Sequence, residues 1–338
     1  GEGAGGGAWA GTAALNYTTV IGYEAMRGAL TSAALGTVAI GYQSLNALTT
    51  GASNVAVGYQ AGILQTSGNK NVVIGHQAFS SAADGESSNI CIGFQAGSDM
   101  VAGGCDHNVI IGDSAGTGGG AAMASCVVIG KDAMNSTVAN AQTGTIAIGH
   151  NALTALTTGA GNVAVGYSAG SPVTTGSYST AVGHESLGVS AANVITGNFN
   201  TCFGYRSGYD IEGASESNTI VGANTGAALT TGVRNTLMGK SAGGGLTTTG
   251  NNVAIGYDAL GTASNADYMI AIGNYALDAV AGNAQAGDIA IGYNALTSVT
   301  SGAGNLAVGY QAGQFLTTGG ANTFVGHLSG TGITGTKL

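Results

Sequence analysis

Proline is nearly missing from this chain: Pro172 is the only one in 338 residues. A proline withholds a backbone N–H, so its scarcity suits a chain whose donors are committed to continuous ladders. Charge is also scarce. Asp, Glu, Lys and Arg make up 7% of residues, against about 25% in an ordinary soluble domain. Only seven of these are Lys or Arg, against 16 acids, and none form a basic run, which excludes nucleic acid and acidic lipid as expected partners. No stretch approaches the ~18 consecutive apolar residues of a transmembrane helix, so no membrane span is expected. The four cysteines are too few for a disulfide scaffold of this length and show no C-x-x-C spacing. The chain opens on Gly1, and no signal peptide is visible.

What is present is apolar and glycine-rich. A 44% apolar content is too high for disorder. The 63 glycines do not fall on every third residue, so a collagen helix is excluded. They mark a repeat instead. Three mostly apolar residues followed by Gly recur at Gly22, Gly41, Gly58, Gly75, Gly93, Gly112, Gly130, Gly149, Gly166, Gly183, Gly204, Gly222, Gly239, Gly256, Gly273, Gly292, Gly309 and Gly326. The spacing is 17 to 19 residues except for one step of 21, between Gly183 and Gly204. The third residue after the Gly is Ala in thirteen copies, Ser in four and Thr in one. The fourth is Gly in nine copies and a large apolar residue in the other nine. Thr-Thr-Gly often follows, as at Thr49-Thr50-Gly51.

A period near 18 is too short for helical-hairpin repeats or propeller blades. It matches one coil of a parallel β-solenoid, with Gly at the corners where φ must be positive. The expected fold is therefore all-β: a parallel β-solenoid, or β-roll, of about 18 coils in one array over residues 1–338. Regular coils are expected over about 18–328, with degenerate ends at 1–17 and 329–338. At ~4.8 Å per coil the array would be a rod on the order of 85 Å long, stabilised by nearest-neighbour stacking.

Within the strand before each Gly, side chains alternate between faces. The residues three and one before the Gly, such as Val55 and Val57, are read as pointing inward. The residue between them then points outward, although it is apolar in every copy. This stripe is Ala39, Ala56, Val73, Cys91, Ile110, Val128, Ala147, Ala164, Ala181, Cys202, Ile220, Leu237, Ala254, Ala271, Ala290, Ala307 and Phe324. A strand apolar on both faces is buried on both, so the stripe is expected to be a subunit interface, with a homotrimer the simplest closed assembly. Asn stands four residues before the Gly in eleven copies, at Asn54, Asn71, Asn89, Asn108, Asn162, Asn200, Asn218, Asn235, Asn252, Asn305 and Asn322. These read as a structural ladder of stacked amides. The residue after the Gly is Tyr in Tyr23, Tyr42, Tyr59, Tyr167, Tyr205, Tyr257, Tyr293 and Tyr310, an aromatic corner ladder suited to packing or to binding sugars.

Motifs that resemble catalytic ones dissolve into the repeat. Three stretches read G-x-S-x-G, around Ser114, Ser168 and Ser241, but sister repeats carry Gln60, Asp132 or Glu185 at that position. A nucleophile elbow also needs a strand-turn-helix context and a His with an acid. The acids are scattered singly, without the close carboxylate pair of a glycosidase. His76, His150, His184 and His327 share one repeat position but are coils apart, beyond the reach of one metal ion within a chain. No enzyme activity, cofactor or metal is expected.

Copies such as Asn54-Val-Ala-Val-Gly-Tyr-Gln-Ala-Gly62 and Asn252-Val-Ala-Ile-Gly-Tyr-Asp-Ala-Leu260 resemble the head repeats of trimeric autotransporter adhesins. They are equally similar to repeats of bacteriophage tail fibres. The resemblance runs from about Val20 to His327 and implies a left-handed parallel β-roll trimer at a cell surface or on a virion. The repeat here is longer than the compact head repeat. The function expected is a structural and adhesive fibre segment, extracellular, partnered by copies of itself and by a host surface glycan or protein. The variable linkers, 80–88, 99–107 and 186–198, are its contact loops. The alternatives are a filament subunit stacking head to tail through open sheet edges and an ice-binding solenoid.

Overall fold

The computed structural model describes residues 1–6, 17–30, 35–82, 85–100, 103–118, 122–136, 142–188, 194–279 and 285–335. Most of the degenerate N-terminal end, the last three residues and the middle of each variable linker lie outside these. The chain divides into two compact units, Gly1–Val165 and Gly166–Leu338. Each is a parallel β-solenoid. The first carries nine three-residue strands, from Thr19–Ile21 to Val163–Val165, and the second another nine, from Thr180–Val182 to Thr323–Val325. Every strand ends immediately before a motif glycine. Within each unit the strands pair parallel and in register, so that Val55 lies over Val72 and Ala56 over Val73, and Leu237 over Ala254. Two pairs of two-residue strands, Met123–Ala124 with Gln142–Thr143 and Ala266–Asp267 with Gln285–Ala286, extend the pairing to a second side of some coils.

The corner after each strand has a regular backbone. All eighteen motif glycines have φ between 122° and 143°. A Cβ on Gly41 would stand 2.2 Å from the carbonyl oxygen of Gly58 in the next coil, and one on Gly58 would stand 2.4 Å from that of Gly75. Glycine is required here twice over, by torsion and by the approach of the neighbouring backbone. The residues two and four further on are also left-handed, as in Gln43 (φ 53°) and Leu45 (φ 47°). Non-glycine residues in this region cost on the order of 1 kcal/mol each. Coil-to-coil hydrogen bonds hold them there: Gln43 donates its N–H to Tyr23 O at 2.9 Å, and Leu45 donates to Ala61 O at 3.0 Å. Gln43 and Leu45 have no preference for this region by residue type; the fourth position is signalled instead by the Gly that stands there in nine copies, as at Gly62 (φ 61°) and Gly243 (φ 61°).

The strand parity is opposite to the one expected. In the eight strands from Val38–Ile40 to Val163–Val165, the central residue is buried and the flanking two are only partly covered or exposed. Ala39, Ala56, Val73, Cys91, Ile110, Val128, Ala147, Ala164, Ala181, Cys202, Ile220, Leu237, Ala254, Ala271, Ala290, Ala307 and Phe324 all lie inside the coil, none more than 6% exposed. They are solenoid core and not a subunit interface. The reason is space: a coil of 17–19 residues encloses little volume, and alanine fits where valine and isoleucine on both flanks would not. The small residue three after the Gly joins them in the core, as Ala61, Ala78 and Ala96 do at 0% exposure.

The interior also explains the alternation of glycine with a large residue four positions past the motif glycine. Where the core residue of the strand is large, that position is Gly: Ile110 with Gly116, Ile220 with Gly226, Leu237 with Gly243, Phe324 with Gly330. Where the core residue is Ala, a Leu fills the gap in six of nine copies, as with Ala39 and Leu45 or Ala254 and Leu260; in two of the other three, Gly62 and Gly313, the Leu of the preceding coil, Leu45 or Leu296, lies against the glycine. A Cβ on Gly243 would meet Leu237 Cδ2 at 2.8 Å. Remaining volume is filled from the far side by Leu48, Leu156, Ile211, Leu229, Leu246 and Leu316, all fully buried.

At the N-terminal end the first residues form part of an additional coil. Gly1-Glu2-Gly3-Ala4-Gly5 repeats the corner motif and stacks on Gly22–Met26, with Glu24 N–H to Glu2 O and Gly5 N–H to Ala25 O, both 3.0 Å. The G-x-x-A-G spacing was legible in this stretch.

Gly58→Ala should destabilise the fold by about 2–4 kcal/mol, the range for forced backbone strain with a steric clash. Gly103→Ala, where an added Cβ meets nothing within 4 Å, should stay within about 0.5 kcal/mol; denaturant titration of both checks this. Leu237→Ala should cost about 2–4 kcal/mol and Gly243→Leu about 1–3. The double variant should cost less than their sum, because it recreates the Ala254–Leu260 pairing.

Candidate functional site

Three rows run along the outward side of the strands. Two are the residues flanking the core position, and the third is the residue following the motif glycine. The first two are almost entirely Val and Ile in the first unit, from Val38 and Ile40 to Val163 and Val165. In-register stacking covers each side chain from above and below, so most are half-buried, and their outer atoms face solvent. Ile74 is 37% exposed, Ile291 38%, Phe203 54% and Val325 66%. In the second unit the first row carries four consecutive threonines, Thr180, Thr201, Thr219 and Thr236, paired in register.

The third row is the aromatic corner. Tyr23, Tyr42, Tyr59, His76 and Phe94 stack in sequence, with ring centroids 4.9–5.4 Å apart and planes within 18° of parallel. In the second unit Tyr167 stacks on His184, which tilts against Tyr205, and Tyr293, Tyr310 and His327 form another stack. Tyr257 joins this row edge-on through Tyr275, one residue out of step with the others. The stacking has a chemical consequence. Ring faces are covered by neighbouring rings, and what solvent meets is ring edges. Sugars stack on faces, so an internal member of this ladder is poorly presented for that contact.

Beside the rings runs an amide row. Gln60 Nε2 donates to Gln43 Oε1 and Gln77 Nε2 to Gln60 Oε1, both at 3.0 Å, and Gln43 donates to Glu24 Oε2 at 2.9 Å. Its geometry is that of a structural ladder. The Thr-Thr-Gly corners form one too: Thr49 and Thr230 donate their hydroxyls to the carbonyls of Thr66 and Thr247 in the next coil.

The asparagines lie inside. Asn54, Asn71, Asn89, Asn108, Asn162, Asn200, Asn218, Asn235, Asn252 and Asn305 are at most 1% exposed, and Asn322 is partly exposed in the last coil. In nine of them Oδ1 accepts the backbone N–H of the equivalent residue one coil on, as from Asn71 to Asn54 at 3.0 Å and from Asn89 to Asn71 at 2.9 Å. The amide nitrogen donates to a carbonyl at the following corner, Asn54 to Gly68 at 2.9 Å and Asn71 to Glu86 at 2.7 Å. The ladder is thus a chain of side chain to backbone bonds, supplemented by amide–amide contacts such as Asn108 to Asn89 at 3.0 Å.

Asp288 occupies one rung. It is fully buried. Its Oδ1 accepts from Asn305 N at 2.6 Å and Asn305 Nδ2 at 3.1 Å. Its Oδ2, standing where the asparagine rungs carry an NH₂ donor, has no hydrogen-bond partner. Burial pushes its pKa up from 3.8 to about 6, against the lowering effect of the two Asn305 bonds.

The residues suspected of chemistry take ordinary places. Ser114, Ser168 and Ser241 stand at the left-handed corner position, with φ 55°, 51° and 57°, as Gln43 does. Cys91, Cys105, Cys126 and Cys202 are buried free thiols, and burial raises the pKa of Cys91, Cys126 and Cys202, away from thiolate reactivity. Among the described residues no group of three or more His, Cys, Asp or Glu could hold a metal ion, and no helix is long and apolar enough to cross a membrane. The chain matches no family model, no curated protein and no solved structure.

Asp288→Asn should supply the missing donor and stabilise the protein at pH 8. The sign follows from an acid whose pKa is higher folded than unfolded. Below about pH 4 both states are protonated and nothing is lost; between about 4 and 6 the unfolded state ionises while the buried group keeps its proton, so stability falls as pH rises and the loss is complete above about 6. A shift of this size corresponds to about 2–3 kcal/mol. Chemical denaturation at pH 4 and pH 8 should show the variant's advantage at pH 8 and its near disappearance at pH 4.

Proposed function

We propose that this chain is a structural and adhesive fibre segment that assembles with copies of itself through the outward Val/Ile rows of its strands. The observation that carries this reading is the pair of in-register rows flanking the core position: eight successive coils of the first unit, from Val38–Ile40 to Val163–Val165, with apolar side chains turned to solvent. Monomers rarely keep so long an apolar strip uncovered. Covering the outer atoms of one Val or Ile contributes on the order of 1 kcal/mol. Two such positions per coil over these eight coils sum to on the order of 10 kcal/mol before the cost of association. The absence of charge in these rows supports the same reading, since interface cores are depleted of charge.

The stripe expected from sequence to meet a neighbour is core, so the proposed interface is the opposite set of residues on the same strands. A homotrimer closes such an interface without leaving an open end, and it is the assembly the resemblance to adhesin heads implies. The linkers would then face outward as contact loops for a host surface glycan or protein, with the whole at a cell surface or on a virion. Rigidity of the coil ladder supports a scaffold role: binding loops are best displayed from a fixed frame.

A second reading, ordering of ice-like water, has one observation in its favour, the row Thr180, Thr201, Thr219 and Thr236. The row is four coils long, and its partner row reads Val182, Phe203, Val221 and Met238, which breaks a threonine lattice. Absence of thermal hysteresis would remove this reading.

Sedimentation of the purified chain should show a discrete oligomer at micromolar concentration. The double variant Val57→Lys, Ile92→Lys should shift it toward monomer with an unchanged β-sheet spectrum. A wild-type monomer would sink the proposal, and open-ended growth would favour the head-to-tail filament.

A further inference from the structure

The tyrosine ladder has a property that packing does not use. Tyr23, Tyr42 and Tyr59 lie one above another with centroids 5.4 and 5.1 Å apart and planes 10° and 7° from parallel. Tyr293 and Tyr310 repeat the arrangement at 5.4 Å and 13°. Because the coils are in register, neighbouring rings are related almost by simple translation. Equivalent ring carbons, those ortho to the hydroxyl included, are then separated by about the distance between the centroids. All five rings are between 40% and 47% exposed, so their edges are open to a small oxidant. The backbone ladder holds the attachment points one coil spacing apart, near 4.8 Å, and diffusion is not needed to bring the rings together.

We propose that these stacked tyrosines are sites of oxidative coupling, forming dityrosine bonds that staple one coil to the next. The co-reactant is a one-electron oxidant of the peroxidase class with hydrogen peroxide. Each of two neighbouring tyrosines loses one electron and its phenolic proton, giving two phenoxyl radicals. The radicals join through their ortho carbons, and each ring then shifts its displaced ortho hydrogen to the phenolic oxygen, restoring the aromatic hydroxyls. One peroxide takes up the two electrons and two protons and leaves as two waters. The new C–C bond closes a loop of one coil, Tyr23 to Tyr42 or Tyr42 to Tyr59, and so constrains the unfolded chain in the manner of a disulfide. This chemistry is independent of the assembly proposed above, because it joins residues of a single chain.

Geometry and accessibility make opposite predictions, which makes the proposal testable. The most exposed tyrosines are Tyr17 at 92%, Tyr268 at 64% and Tyr178 at 63%, and none of them stacks on another tyrosine among the described residues. The full-length chain is treated with peroxidase and hydrogen peroxide at low protein concentration, followed by dityrosine fluorescence and mass-spectrometric mapping of cross-linked peptides. Cross-links within one chain should map to Tyr23–Tyr42, Tyr42–Tyr59 and Tyr293–Tyr310, and the product should melt at a higher temperature than the untreated protein. Tyr42→Phe, which keeps an aromatic ring as Phe94 does at the same position, should remove the first two links and leave the third. Cross-links centred on Tyr17, Tyr178 and Tyr268, links solely between molecules, or a Tyr42→Phe pattern identical to wild type would each overturn it.

Discussion

Everything in this molecule depends on the stacking of one coil on the next at the spacing of a β-ladder. Backbone hydrogen bonds run between coils through the strands and continue through the corners, where Gln43 bonds to the coil before and Leu45 to the coil after. That continuity pays for the left-handed torsions at the corners. It also makes every position in the repeat a column, so that a residue's neighbours are its own equivalents. Columns of like residues are favourable for amides and aromatic rings, which pair with themselves, and unfavourable for charge, which does not. The 7% charged content of the chain follows from this constraint.

The narrowness of the coil is the second determinant. Little room exists inside, and it is shared among an alanine of the strand, an alanine of the corner, an asparagine and one or two larger side chains. The trade between Leu237 and Gly243, or Ala254 and Leu260, shows volume being conserved coil by coil although the sequence varies. This is close packing without a single large core. Buried polar groups survive in it because the asparagine columns satisfy both ends of each amide, and Asp288 marks where one rung cannot.

The repeated asparagine, alanine and glutamine columns hold the coils together, and the rings of the corner ladder present edges to solvent. What the strands turn outward is a half-buried apolar facade, and it is on this facade that the proposed association of like chains rests.

Much of this was legible in the residues. The eighteen copies, their period, the parallel coil, the glycine corners and the amide column all follow from spacing and residue type. The volume rule was visible as an unexplained choice between Gly and a large residue. Strand parity was not legible, because a three-residue strand apolar at every position fits either way, and the usual guide, larger residues inside, fails when the interior is too small for them. The left-handed torsion at Gln43 was equally hidden, since it is held by a hydrogen bond to the neighbouring coil and not by the side chain, whereas the one two residues further on was signalled by Gly in half of the copies. Sequence alone therefore determined that the chain winds and where it bends. Only the tertiary structure decided which side of the strand faces water, because that depends on the volume a closed coil can hold.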